Sequence, residues 1–301
     1  MNAPTQTTSP LTSPAGFGFR DLAELTRLRL TTMILLTVAV GFVLATPDHM
    51  NGWRLVWVLV GLGLVSGGST AFNQVLERDT DAKMTRTCDR PLPQRRITPV
   101  AASVLGAVGC GLGLVLLSLS AGALTAILAA ASAAIYVLVY TPLKRRSSFN
   151  TLIGAISGAL PPVIGWTGAT GKLATGALVV FGILFVWQLV HLFAIAWTYR
   201  EDYAQAGLVM VSGTDDRAGD LTMRLIVLSC LTMVPVSLAP VLVGLAGPMY
   251  VVAAAVLSLG FLAAGICLAM QRSRPAARGL FLASLAYLPL LLIALVIDHV
   301  R

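Results

Sequence analysis

Nine stretches of this 301-residue chain are each long and apolar enough to cross a bilayer, and that single feature removes most folds from consideration. They run near Leu30–Thr46, Trp53–Leu76, Pro99–Ser120, Ala121–Tyr140, Leu152–Ala169, Thr175–Trp197, Leu225–Val243, Tyr250–Met270 and Leu280–Ile297. A hydrocarbon layer of ~30 Å needs about 20 such residues per helical crossing. Backbone groups in lipid must bond within their own segment or within a closed barrel, and the polar/apolar alternation of barrel strands is missing here. The expected fold class is therefore an all-α integral membrane protein of nine transmembrane helices. Composition agrees: 56% of residues are apolar and 11% charged, against roughly 25% charged in a soluble domain.

Met1 to Gly16 is rich in Thr, Ser and Pro and lacks the basic start and apolar core of a signal peptide. The expected organisation is a disordered tail over residues 1–19 and one nine-helix domain over residues 20–301. Lys and Arg gather on the cytoplasmic side of short loops. With the N-terminus inside and the C-terminus outside, 18 of the 21 Lys and Arg residues fall on that side, and only Arg54, Lys172 and Arg301 do not. The net charge of +8 thus marks topology in a bacterial cytoplasmic (inner) membrane. No basic stripe interleaved with aromatics points to nucleic acid. Cys88, Cys110, Cys230 and Cys267 have neither metal-ligand nor redox spacing.

Charge is concentrated in "NQVLERDTDAKMTRTCDRPLPQRR", Asn73 to Arg96, which holds ten charged residues. Asn73, Glu77 and Asp81 stand at i, i+4 and i+8 and share one helix face, whereas Asp79 points elsewhere. Oxygen donors of this kind suit Mg2+, which binds through one or two carboxylates together with phosphate oxygens and water. The interleaved arginines suit bidentate phosphate recognition. The plainer reading is a solvated loop whose acids accompany topology-driven basic residues as weak ion pairs. Asn73 weighs against it, because a polar side chain inside a membrane helix is costly and usually faces a cavity or the protein interior.

A second acidic segment, "TYREDYAQAG", follows the sixth stretch and supplies Glu201 and Asp202, with Asp215, Asp216 and Asp220 beyond. Two such segments about four spans apart suggest a four-helix unit used twice with a ninth helix appended. Of the histidines His49, His191 and His299, only His191 lies mid-span, in "WQLVHLFAIAW". An ionisable residue there is a candidate for function, although a lone helical His is also a common packing residue.

"NQVLERDTDAKMTRTCDRPLPQRRITP", "VYTPLKRRSSFNTLIGAISGALPPVIGWTGATG", "WQLVHLFAIAWTYREDYAQAGLVM" and "LFLASLAYLPLL" together resemble the UbiA-type intramembrane prenyltransferases, within them the protoheme IX farnesyltransferase branch. The resemblance runs from about Leu22 to Asp298. It implies nine helices around a central lipid-accessible cavity, with the two acidic motifs facing each other at its cytoplasmic mouth. It further implies Mg2+, farnesyl diphosphate and heme B as ligands in a lipid setting, with a heme A synthase or oxidase assembly proteins as partners. Alternatives of the same and another class are a prenyltransferase for an aromatic or quinone precursor and a membrane transporter.

By the resemblance, Asn73, Glu77 and Asp81 match the first metal motif, and Asp202 with Tyr199 and Tyr203 the second. Glu77 departs from the family's usual Asp, and Tyr199 and Tyr203 stand where quinone-type relatives carry acids. Lys83, Arg90, Lys144 and Arg145 are candidates for the diphosphate clamp, since an allylic diphosphate ionises when its growing charge is neutralised. Each has an alternative reading as an ordinary inside-facing anchor. His191 and Trp187 are candidates for heme contact, and Tyr136, Tyr140 or Trp187 for cation–π support of an allylic cation.

Overall fold

The computed structural model describes residues 17–46, 50–214 and 219–299. Met1 to Gly16, His49, Asp215 and Asp216 lie outside the described residues. Among the described residues, nine helices are long and apolar enough to span a membrane. They are α1 (Leu28–Ala45), α2 (Gly52–Asp81), α3 (Pro99–Ala121), α4 (Ala123–Leu143), α5 (Asn150–Thr170), α6 (Thr175–Thr198), α7 (Asp220–Leu242), α8 (Pro248–Gln271) and α9 (Arg274–Ile297). A short helix, Phe19–Leu25, precedes them, and another, Arg200–Gln205, follows α6.

Local chemistry sets the helix ends. The Asn51 side chain accepts the Arg54 N–H at 3.0 Å, Thr98 accepts that of Ala101 at 3.1 Å, and Ser273 that of Ala276 at 3.3 Å. Each is an N-cap that satisfies an otherwise orphaned donor. Inside α5 the chain breaks at Leu160, because Pro161 and Pro162 bring no N–H to the ladder and their rings crowd the preceding turn. In α4 a π-helical segment over Ile135–Tyr140 adds slack just before the basic "LKRR" turn.

The helices divide into two packed groups. Val38, Phe42, Val58, Leu62, Leu117 and Ile164 form one core, from α1, α2, α3 and the second half of α5. The larger core joins α6, α7, α8 and α9 through residues such as Ile183, Ile226, Phe261 and Leu291. In that group α6 packs on α7, α7 on α8, α8 on α9, and α9 back on α6. The supernumerary helix is therefore not α9, as the repeat hypothesis supposed. α5 lies between the groups, its first half against α6 and its second half against α1. The α1–α5 crossing is close: a Cβ on Gly41 would fall on the Pro162 backbone, and one on Gly165 on the Val38 carbonyl. Small residues that let backbones approach are the usual basis of helix association in lipid.

Candidate active site

α2 does not stop where its apolar run ends at Leu76 but continues to Asp81 as helix. That extension keeps Asn73, Glu77 and Asp81 on one inward face, where they are only 0%, 6% and 1% exposed. Asp79 points away, exposed, and pairs with its neighbour Arg78 at 3.2 Å.

Each of the three inward oxygens meets a basic side chain. Lys144 Nζ lies 2.7 Å from Glu77 Oε1 and Arg90 Nη1 2.6 Å from Asp81 Oδ2. Arg27 Nη2 donates to Asn73 Oδ1 at 3.0 Å, and Asn73 Nδ2 donates to Thr141 Oγ1 at 2.9 Å. Burial disfavours the charge on Lys144, but Glu77 and then Tyr140 outweigh it, so the ammonium is held above the ordinary lysine value. Arg90 moves the other way: burial and the neighbouring Arg27 lower it, against the pull of Asp81. Two carboxylates thus face three cations, which leaves the cluster with a surplus of positive charge.

Arg27 went unrecognised in the sequence. It occupies the left-handed region (φ 46, ψ 52) between the Phe19–Leu25 helix and α1, a strained conformation for a non-glycine residue. That bend sends its guanidinium to Asn73 and, at 3.3 Å, to the Tyr136 hydroxyl. The short helix itself is fixed by Gln74, whose Nε2 donates to the Glu24 and Leu25 carbonyls at 2.9 and 2.8 Å. Arg96 also holds it, paired with Asp21 and Glu24.

The second acidic segment arrives beside this cluster. Tyr203, Ala206, Leu208 and Met210 pack with Met84 of the α2–α3 loop. Arg86 lies over the Tyr199 ring at 5.2 Å and reaches the Tyr203 hydroxyl at 3.5 Å. The Val209 N–H donates to the Lys144 carbonyl at 2.7 Å, and Asn150 Nδ2 donates to the Val209 carbonyl at 2.7 Å. Lys144 is therefore tied to the α6–α7 loop by its backbone and to α2 by its side chain. Asp202 is half-buried, and its carboxylate makes no hydrogen bond or ion pair among the described residues.

Several expected members stand apart. Lys83 is exposed and its side chain pairs with nothing among the described residues, because the helix ends at Asp81 and the following turn directs it outward. Arg145 is exposed and donates to the Leu76 carbonyl at 3.2 Å. Glu201 and Asp220 are spent on exposed pairs with Arg274 and Arg272, at 3.2 and 2.5 Å. Among the described residues no three His, Cys, Asp or Glu side chains converge as a metal cage. His191 and Trp187 sit higher on α6, stacked on each other at 4.9 Å.

Residues 34–288 match the UbiA prenyltransferase family. The chain belongs to the UbiA prenyltransferase family. It is 40% identical to the protoheme IX farnesyltransferase of Solibacter usitatus, over 93% of this chain and 99% of that one. The enzyme of the same name from Anaeromyxobacter dehalogenans is 41% identical over 93% of this chain and 94% of its own. Among solved structures, one concerned with digeranylgeranylglyceryl phosphate synthase superposes with TM-score 0.78 at 16% identity, covering 93% of this chain and 97% of that one. A UbiA homolog from Archaeoglobus fulgidus bound to DMAPP and Mg2+ superposes with TM-score 0.68 at 15% identity, covering 91% and 99%. These two likenesses show the UbiA fold. As a family member the chain is a multi-pass membrane prenyltransferase, and its acid-base cluster lies where α2 and α6 both end.

Proposed function

We propose that the chain is a protoheme IX farnesyltransferase acting at the α2–α6 end of the bundle. The observation that carries the chemistry is the set of half-buried cations Arg27, Lys144 and Arg90 against the buried Asn73, Glu77 and Asp81. Its excess positive charge suits a diphosphate, and its cations can exchange their carboxylate partners for phosphate oxygens as substrate enters. The choice of heme as acceptor is supported by relatives of that one name at about 40% identity over almost the whole chain.

In the reaction the C1–O bond of farnesyl diphosphate breaks and diphosphate leaves with the bonding pair. Farnesyl C1 bonds to the terminal carbon of a heme B vinyl group. Water adds to the other vinyl carbon and releases a proton, giving heme O. Arg27, Lys144 and Arg90 stabilise the charge that grows on the leaving group, and they are preorganised for it in a site largely shut off from water. Tyr199 and Tyr203 close the cluster from the second loop. Tyr136 and Tyr140, stacked at 5.7 Å, offer π faces to an allylic cation.

The residues also fit Mg2+. All the donors are oxygens, and Asp81 Oδ1 is buried without a partner among the described residues. Asp81 and Glu77, with Asn73 on the same helix face, would hold the ion, with diphosphate and water completing its shell. When bound, it supplies neutralisation of the diphosphate oxygens. His191 and Trp187 are assigned to heme contact. The basic side chains of this end support a cytoplasmic side for it and for the N-terminus, in a bacterial inner membrane, and an oxidase assembly route is the proposed consumer of the heme O.

The test supplies membranes containing the chain with farnesyl diphosphate and Mg2+, offering heme B and 4-hydroxybenzoate together. Mass spectrometry should show heme gaining a farnesyl group plus water while the benzoate stays unmodified. Farnesylated benzoate with unchanged heme overturns the acceptor assignment.

A further inference from the structure

His191 on α6 is fixed on three sides. Its ring stacks on Trp187 at 4.9 Å and packs, tilted by 38°, against Phe281 of α9 at 5.1 Å. Its Nδ1 lies 2.8 Å from Ser284 Oγ, a hydroxyl on a completely buried residue of α9. The same serine receives a second bond from α6, since Trp187 Nε1 donates to the Ser284 carbonyl at 2.8 Å.

The proton arrangement follows from counting hydrogens. Ser284 Oγ also lies 2.6 Å from the Phe281 carbonyl, which has no hydrogen to give. The single hydroxyl hydrogen is therefore committed to that carbonyl. Ser284 Oγ can then meet His191 only as an acceptor, so the proton of the neutral imidazole must sit on Nδ1. Nε2 is left with its electron pair. It makes no hydrogen bond among the described residues and is not sealed from its surroundings. A histidine kept only for packing would be expected to satisfy both nitrogens.

We propose that Ser284 is a positioning residue: it locks His191 in the Nδ1–H tautomer and so presents Nε2 as an axial ligand for the iron of heme B. The proposal rests on the heme reading given above. Metal-binding histidines commonly give their second N–H to a neighbouring oxygen, which fixes tautomer and ring orientation and makes the ligating nitrogen more basic. Here that oxygen belongs to another helix, so the α6–α9 contact, not α6 alone, sets the ligand. The Trp187–Ser284 bond holds the two helices in the register that the contact needs.

Two measurements on the full chain in nanodiscs test this. The first is the 15N spectrum of histidine-labelled protein without heme, with His191→Gln used to assign the signal. It should show a protonated Nδ1 and an unprotonated Nε2, and the reverse pattern overturns the proposal whatever any variant does. The second is titration with ferric heme B followed in the Soret band. Ser284→Ala should weaken binding about 10- to 100-fold and alter the axial-ligand spectrum, whereas Ser284→Thr, which keeps the hydroxyl, should stay close to wild type. Unchanged affinity and spectrum in Ser284→Ala overturn the serine's role while leaving the heme reading intact. If His191→Gln instead binds heme with an unchanged spectrum, the heme contact itself is wrong and axial ligation falls with it.

Discussion

Lys144 Nζ lies 2.7 Å from Glu77 Oε1, and the two side chains are 12% and 8% exposed. Because the Lys144 carbonyl also accepts the Val209 N–H, this one residue joins α2, the α4–α5 turn and the α6–α7 loop. Removing one partner of a buried pair strands the other charge, at a cost of about 3–5 kcal/mol. Lys144→Met should lower thermal stability in detergent sharply. Glu77→Gln placed in the same chain should recover part of the loss without recovering turnover, and a double-mutant cycle measures that coupling. Additive losses of stability would show that the two groups do not interact.

Asp81 and Asp79 are near neighbours in sequence with opposite environments, one almost wholly buried and paired with Arg90, the other exposed. Asp81→Asn should reduce prenyl transfer about 10²- to 10³-fold, the order of the cost of losing one transition-state stabiliser, because the carboxylate holds Arg90 and the ion that neutralise the leaving group. Asp79→Asn should stay near wild type. Equal effects in a steady-state assay would contradict the helix register assigned to this segment.

Arg90 and Lys83 make a similar contrast among the cations. Arg90→Ala should raise the KM for farnesyl diphosphate and lower kcat, since the guanidinium faces the site. Lys83→Ala should change neither by more than about twofold, as expected of an exposed side chain with no partner among the described residues.

The α1–α5 crossing predicts a purely structural effect. Gly165→Ala would place a methyl on the Val38 backbone carbonyl, which cannot move aside as a flexible side chain can. The expected loss is about 1–3 kcal/mol or more, larger than the ~1 kcal/mol that alanine gains over glycine in a helix. A lower melting temperature is the readout, and a raised one would mean that the helices are farther apart than described.

The spans were legible because an apolar run of bilayer length has few other uses, and the buried face of α2 was legible because its polar residues recur at helical spacing. What escaped was set by tertiary contact. "TRLRL" reads as topology-marking charge, and only the left-handed bend at Arg27 turns that side chain toward Asn73. Ser284 in "LASLAY" is indistinguishable from a small packing residue until α6 lies beside it. Lys83 reads as a clamp candidate because it is a cation beside the acidic motif, and only the turn after Asp81 shows its side chain directed outward. The place of α9 in the α6–α9 group was hidden too, because no spacing of acidic motifs reveals which helices share a core.

The decisive measurement follows diphosphate release and heme mass together in purified protein given farnesyl diphosphate and heme B, with Mg2+ present or chelated. The proposed chemistry requires one diphosphate per heme O formed, both abolished by chelation, restored by Mg2+, and strongly reduced in Glu77→Gln. Heme left unchanged while diphosphate is released, or turnover indifferent to both chelation and Glu77, would contradict it.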